Sequence, residues 1–519
     1  MSDREQRHGS AGNGQRGRRR PAQVKSGSNR SGANRSGANR SGGNKTGGAK
    51  GRNAQPGARD VALDVLIAVA VDDAYANLLL PHRLREANLS REDAGLATEL
   101  TYGTLRSSGY YDAIVELVAK RPIAEVDALA RTALQLGAHQ LLATRVASHA
   151  AVNETVNAVR RRGGVGPSGF VNANLRRISE ADAGTWQARV AESIPDELAR
   201  LAVLESHPLW IARALREALS LEHREDELTA ALAANNASPQ IQLAALPGKT
   251  AREAVLAAHP SLLTDDPASP VAMKLAGGDP SDLEEVREGV VRVQDAGSQL
   301  VALALTRAEP LKAGERVLDL CAGPGGKSAL LAAEVLAAGG DFSANEVVPA
   351  RAKLVRQALA VLGDEQSLPV TELDGREYGK GREQFDRILV DAPCTGLGAL
   401  RRRPEARWRK QPSDVAELSA LQEELLAAAV NAVVPGGLVA YVTCSPHPAE
   451  TVGIVRRAYR HGGLEVVDAP AICRQLAPEL ELSGIAVGDG HALQLWPHRH
   501  GTDAMFLALL RKTDKKEPE

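Results

Sequence analysis

Two of the four cysteines in this 519-residue chain sit in short strings, Asp391-Ala-Pro-Cys394 and Thr443-Cys444-Ser445. Each string follows an apolar run that reads as a buried strand. A thiol at a strand end can act as a nucleophile, because its thiolate adds readily to an electron-poor centre and leaves again. Both strings lie downstream of a glycine-rich turn, Asp319-Leu-Cys-Ala-Gly-Pro-Gly-Gly326. Glycines in such a turn let the backbone bend sharply and approach a ligand closely. These residue types point to thiol chemistry on a substrate held beside a nucleotide-like ligand.

The turn fails the dinucleotide fingerprint, because Ser328 stands where the third glycine belongs. The strands around it end in acidic residues: Asp319, Glu346 after Asn345, Asp374 and Asp391. One such carboxylate alone could equally cap a helix. In series at successive strand ends, they would surround a cation. S-adenosylmethionine carries a sulfonium and an ammonium, whereas NAD carries a pyrophosphate, so the charge pattern predicts the former. The expected contacts are Cys321, Ala322, Gly323, Pro324, Gly325, Gly326 and Lys327 of the turn, then Glu346 for the ribose hydroxyls, Asp374 and Asp391. Cys321 needs only to be small there, and Cys473 lies outside every motif and reads as packing.

The segment Arg401-Arg-Arg-Pro-Glu-Ala-Arg-Trp-Arg-Lys410 follows the Pro-Cys string closely, and six of its ten residues are basic. Guanidinium groups pair with phosphates and an aromatic ring stacks on a base. Arg401, Arg402, Arg403, Arg407, Trp408 and Arg409 are therefore expected to grip nucleic acid. An exposed charged helix would have the same composition.

Positioning these residues requires strand and helix patterns that alternate from Leu311 onward. Strands are expected at 316–320, 341–346, 369–373, 385–391, 437–444, 464–468 and 504–511, and helices at 326–337, 349–362, 414–434 and 448–460. Such alternation implies a mostly parallel sheet covered on both faces. The run 492–497 followed by 504–511 without a helix suggests an antiparallel edge hairpin. Residues 58–180 show only helical periodicity, at Val61, Val65, Leu66 and Val69 and again over 93–106, 110–119, 126–142 and 151–161. The Gly163–Pro167 stretch should interrupt it. Residues 181–293 read as a small α+β module, with helices at 195–205, 209–220 and 225–234 and strands at 241–246 and 290–293. Gln294–Leu305 reads as its connection to the domain at 294–511. Residues 512–519 are a charged tail.

Residues 1–57 repeat a five-residue unit, as in Asn29-Arg-Ser-Gly-Ala and Asn34-Arg-Ser-Gly-Ala. Such a segment buries too little surface to offset its ordering entropy and is expected to be disordered. It holds 13 Lys+Arg against 2 Asp+Glu, whereas the remainder holds 50 against 62. A basic arm on an acidic body suggests a polyanionic partner. Four cysteines without paired short spacing argue against a disulfide scaffold or a zinc module, and no metal is expected. No apolar run approaches the roughly 20 residues that span a bilayer, and the basic N-terminus lacks the apolar core of a secretory signal. A cytoplasmic chain with no membrane partner is expected. Nothing in the sequence indicates an oligomeric state.

Asp319-Leu-Cys-Ala-Gly-Pro-Gly-Gly-Lys327, Asp391-Ala-Pro-Cys-Thr-Gly-Leu-Gly398 and Tyr441-Val-Thr-Cys-Ser-Pro446 resemble the motifs of the Nop/Sun RNA cytosine methyltransferases. Pro497-His-Arg-His-Gly-Thr-Asp-Ala-Met-Phe506 resembles that family's last hairpin. Glu99-Leu-Thr-Tyr-Gly-Thr-Leu-Arg106, His149-Ala-Ala-Val-Asn-Glu154 and Gly169-Phe-Val-Asn172 resemble NusB, an all-helical RNA-binding fold. A NusB-like domain ahead of a Sun-type domain resembles the RsmB/Sun branch, which methylates carbon 5 of cytosine in 16S rRNA. Here Gly323 replaces the family's second alanine and Glu346 its usual aspartate. The resemblance implies a Rossmann-like catalytic domain, S-adenosylmethionine, and an RNA partner, 16S rRNA. The residues alone leave open which thiol attacks, since a Pro-Cys motif of the DNA-methylating type would nominate Cys394. The resemblance implies Cys444 as the nucleophile, Cys394 in release of the adduct, and Asp391 against the target base. Action on tRNA or DNA, or an RNA-binding antitermination factor with a relic methyltransferase domain, are the alternatives.

Overall fold

Helix follows helix from Ala58 to Asn236 in the computed structural model, which describes residues 56–380 and 384–513. The expected basic arm lies outside the described residues except for its last two positions, and the expected charged tail except for its first two. Helices Ala58–Val71, Ala76–Ala87, Arg91–Arg106, Ser108–Ala119, Ala128–Ala143, Ser148–Gly163 and Val165–Ile178 enclose one apolar core. Val61, Val65, Leu66 and Val69 are all buried in it, as their helical spacing requires. Ser90 Oγ accepts from the Asp93 N–H, and the Asp127 carboxylate from the Leu129 and Ala130 N–H groups, so both helix starts are capped. The Gly163–Pro167 stretch breaks the helix at one residue only, Gly164 (φ +80°). Helix Ala183–Glu192 continues the core past residue 180, with Trp186 buried and its Nε1 donating to the Ile178 carbonyl at 2.9 Å.

Residues 197–293 are α+β, as expected, but hold more strand than the sequence suggests. Strands β1 (Ile241–Ala245), β2 (Leu263–Asp265), β3 (Ala272–Leu275) and β4 (Val291–Val293) form an antiparallel sheet in the order β2-β3-β1-β4. Strands β2 and β3 lie in the Pro/Asp/Gly-rich stretch where none is expected. They are three and four residues long, too short to show alternation. The presumed connection at Gln294–Leu305 is also different. It is mostly the helix Ala296–Arg307, and every residue from Leu300 to Leu305 is fully buried. A helix apolar all round belongs inside a core, and this one packs against the helix Gly326–Ala337. The buried Arg387 donates to the carbonyls of Leu305, Thr306 and Glu309, which lie at and just beyond its C-terminal end.

The C-terminal sheet has nine strands among the described residues. They are β5 (Arg316–Asp319), β6 (Asp341–Asn345), β7 (Val370–Thr371), β8 (Phe385–Asp391), β9 (Val433–Thr443), β10 (Leu464–Val467), β11 (Gly484–Val487), β12 (Gly490–Gln494) and β13 (Phe506–Lys512). The order is β11-β12-β13-β9-β8-β5-β6-β7, with β10 also paired to β13. Strands β5 to β9 pair in parallel, while every pair involving β10 to β13 is antiparallel. The sheet is thus mixed, and the expected edge hairpin grows into a four-stranded antiparallel part. Separate apolar clusters cover its two faces. The chain winds from β5 outward to β7 and returns on the other side of β5 as β8. That reversal opens a crevice at the carboxyl ends of β5 and β8, where ligands bind in such sheets. No helix of the described residues is long and apolar enough to cross a membrane.

Candidate active site

The crevice between β5 and β8 collects the acidic strand ends. Asp319 closes β5 and is fully buried, with Ser328 Oγ donating to its Oδ2 at 2.7 Å and Oδ1 lacking a partner among the described residues. Burial, aided by Asp391 and opposed by the Ser328 bond and Lys327, pushes its carboxyl up to about 7. Glu346, one residue past β6, accepts from the Gly323 N–H and the Val348 N–H, each at 3.0 Å. Those two bonds lock the acid against the turn. A side chain at 323 would place Cβ only 2.2 Å from Glu346 Oε2, so the Gly323 departure brings backbone and carboxylate together. Gly325 adopts φ +96° and starts the helix Gly326–Ala337. The Cys321 thiol is driven well up, by burial first and then by Asp319, Asp391 and Glu346. Arg351, 3.5 Å from Glu346 Oε2, opposes these three acids and lowers the same thiol. Asp374 sits differently. It is paired with Arg376 at the rim, which holds its carboxyl down at about 2.

Asp391 closes β8, and its Oδ2 accepts from Lys327 Nζ at 2.8 Å. Lys327 extends from the first turn of the helix that follows the glycine loop, so this bond joins the glycine turn to the thiol end. Beyond Asp391 the chain turns through Ala392 and Pro393 to Cys394, whose Sγ lies 3.4 Å from Cys444 Sγ. Strands β8 and β9 are parallel neighbours with Asp391 opposite Val442, which places their two exit loops side by side. At this spacing the thiols share a proton. The Cys394 hydrogen bond lowers the Cys444 thiol and burial opposes it; Lys327 lowers it while Asp391 and Asp503 raise it. Cys394 is raised by the same bond, by burial and by Glu450. Of the two, Cys394 is the thiol pushed up and Cys444 the one pulled down. Cys473 is fully buried in the core, as its position outside every motif suggests.

The arginine-rich segment is largely turned inward. Arg401 and Arg402 both bind Asp503 and Asp295, at 2.6–2.9 Å. Asp295 also caps the helix Ala296–Arg307 through its other oxygen. Arg407 is fully buried and donates to the Ser206, Asn235 and Arg106 carbonyls and to Asn236 Oδ1. Arg409 donates to the Val69, Asp73 and Ala74 carbonyls and stacks over Tyr75. Arg401 and Arg402 thus hold the loop after Cys394 to Asp295 and Asp503, while Arg407 and Arg409 clamp it onto the helical region, so these four guanidiniums face protein acceptors. Arg403 and Trp408 are exposed, and one edge of the Trp408 ring lies against Gly109.

One buried residue that no motif singles out is Glu450, in the short turn Pro448–Glu450. It accepts from the Thr395 N–H at 2.8 Å, from Thr395 Oγ1, from Ser445 Oγ at 2.6 Å and from Gln422 Nε2 at 3.2 Å. Gln422 also donates to the Pro393 carbonyl. The only sequence signal for Glu450 is an acid five residues after Ser445.

A family model described as 16S rRNA methyltransferase RsmB/F matches residues 307–511, and one described as the NusB family matches residues 56–180. A protein of Mycobacterium tuberculosis (strain H37Rv) named only as a methyltransferase is 46% identical over 459 residues, 88% of this chain and 96% of its own length. The ribosomal RNA small subunit methyltransferase B of Pasteurella multocida (strain Pm70) is 30% identical over 465 residues, covering 88% of this chain and 96% of its own. The crystal structure of PH0851 superposes with a TM-score of 0.70 at 23% identity, over 87% of this chain and 99% of that one. That last likeness is one of fold.

Proposed function

The chain belongs to the RsmB/F (Sun) family of S-adenosylmethionine-dependent rRNA methyltransferases, and from that premise we propose that it methylates carbon 5 of a cytosine in 16S rRNA through a covalent bond to Cys444. The observation that carries this reading is the thiol pair, 3.4 Å apart and beside the Lys327–Asp391 bond. A donor with a sulfonium and an ammonium fits the crevice, because Glu346 and Asp391 lie at the turn and a buried Asp319 oxygen lacks a partner. Glu346, the turn 321–327 and Asp319 would hold it, with Asp374 at the rim. When bound, S-adenosylmethionine supplies an electrophilic methyl group.

Carbon 5 of cytosine is a poor nucleophile. The Cys444 thiolate adds to carbon 6, which leaves carbon 5 electron-rich. Asp391, oriented by Lys327, accepts from the cytosine amino group or the protonated ring nitrogen and stabilises the base as electrons move into it. After methylation a base takes the carbon-5 proton, the electron pair of that bond restores the 5,6 double bond, and the carbon 6–sulfur bond breaks with its electrons returning to Cys444. Cys394, next to that sulfur, assists the release. The target base must be unstacked to reach a thiol at this depth, which favours a single-stranded or distorted RNA site. Arg403 and Trp408 are the RNA contacts still open to solvent in the segment after Cys394.

The test is tritiated methyl transfer to unmodified small-subunit rRNA, with bisulfite sequencing of rRNA from a strain lacking the gene. One cytosine that loses its methyl mark in 16S rRNA is expected. Transfer to tRNA or DNA alone would replace the substrate, and no transfer at all would favour an RNA-binding factor.

A further inference from the structure

Glu450 is fully buried, and no cation pairs with it among the described residues. A carboxylate so placed costs several kcal/mol unless hydrogen bonds replace its water. Its four donors come from three places. Thr395 directly follows Cys394, Ser445 directly follows Cys444, and Gln422 reaches across from the helix Pro412–Ala432 while also holding Pro393. Thr395 Oγ1 and Ser445 Oγ lie 3.2 Å from each other across the same carboxylate. The two cysteine loops are therefore joined through one side chain. Further along the loop after Cys394, Gly398 N–H donates to the Cys444 carbonyl, and a Cβ at 398 would sit 2.8 Å from that oxygen.

We infer that Glu450 is a positioning residue for the thiol pair: it bridges the loops after Cys394 and Cys444, fixes their spacing, and sets a negative charge on the Cys394 side. The inference rests on the reading of Cys444 as the attacking thiol. Its physical content is an asymmetry. The bond between the two sulfurs and the Glu450 carboxylate both raise the Cys394 thiol, while that same bond lowers Cys444, so the shared proton is favoured on Cys394. A thiol kept protonated beside the attacking sulfur does not compete with it for carbon 6.

The test compares iodoacetamide labelling of Cys444 and Cys394 in the full-length protein, without RNA or methyl donor, read by peptide mass spectrometry at pH 7. Wild type is expected to label Cys444 about tenfold faster than Cys394, since the thiolate and not the thiol is the nucleophile. Glu450→Gln keeps the shape and removes the charge, and is expected to lower that ratio about tenfold. Thr395→Val removes one bridge and no charge, and is expected to lower it about threefold. It serves as the test if Glu450→Gln does not fold. A merely structural Glu450 would lower the melting temperature of the variants and leave the ratio at its wild-type value, and that result overturns the inference. Because labelling needs no substrate, a wild-type protein with the expected ratio but no methyl transfer would sink the proposed function instead.

Discussion

Asp319 makes the ligand-free protein less stable as pH rises, and Asp319→Asn should remove that dependence. Its carboxyl is raised from an ordinary 3.8 to about 7 by complete burial. A raised carboxyl is protonated in the folded chain and ionised in the unfolded chain between those two values. The folded state then binds more protons, so stability is full below about pH 4 and lost progressively until about pH 7. At ~1.4 kcal/mol per tenfold change, the whole loss is about 4 kcal/mol. Between pH 5 and pH 8 it is about 2.5 kcal/mol on the same relation. Asparagine keeps an oxygen for the Ser328 hydroxyl and never ionises. Urea unfolding of wild type and variant at both pH values measures the effect. The stability gained by Asp319→Asn over wild type should grow by about 2.5 kcal/mol from pH 5 to pH 8. A gain equal at the two pH values would refute the reasoning, because it would mean that Asp319 titrates like a solvated carboxyl.

Arg407→Ala leaves the Ser206 and Asn235 carbonyls and Asn236 Oδ1 without their donor. At ~1–3 kcal/mol per buried unpaired acceptor, partly offset because no guanidinium is desolvated, it should cost about 3 kcal/mol in urea unfolding; unchanged stability would contradict the clamp. Lys327→Met removes the ammonium next to Cys444 and Asp391. Adduct formation in a Cys394→Ala background should slow about tenfold at pH 7, and its pH profile should move alkaline, since the thiolate loses its cation. Stopped reactions between pH 6 and pH 9 would show this, and an unmoved profile would contradict the placement of charge on Cys444.

The strand-end motifs are legible in the sequence because each joins a local signal to a fixed place. Asp319, Glu346 and Asp391 follow apolar runs, and the glycines between Asp319 and Lys327 can serve only a tight turn. The sheet order then brings them together without further information. What stays illegible depends on partners distant in sequence. The composition of Arg401–Lys410 is the same whether its guanidiniums meet phosphates or the buried Asp295 and Asp503, about a hundred residues away in either direction. Ala296–Arg307 reads as a connection because a helix buried all round has no polar face to reveal its period. Glu450 stands in a turn, and its meaning appears only when the loops after β8 and β9 meet over it. The antiparallel part of the sheet is under-read because β11 and β12 are short and joined by a two-residue turn.

The most direct test incubates Cys444→Ala and Cys394→Ala proteins with unmodified 16S rRNA and S-adenosylmethionine and resolves each reaction on a denaturing gel. Cys394→Ala should give a slow-migrating protein–RNA species that persists under denaturation, because the adduct forms and is not released. Cys444→Ala should give neither that species nor methylated RNA. The reverse pattern, an adduct with Cys444→Ala and none with Cys394→Ala, would contradict the division of labour between the two sulfurs.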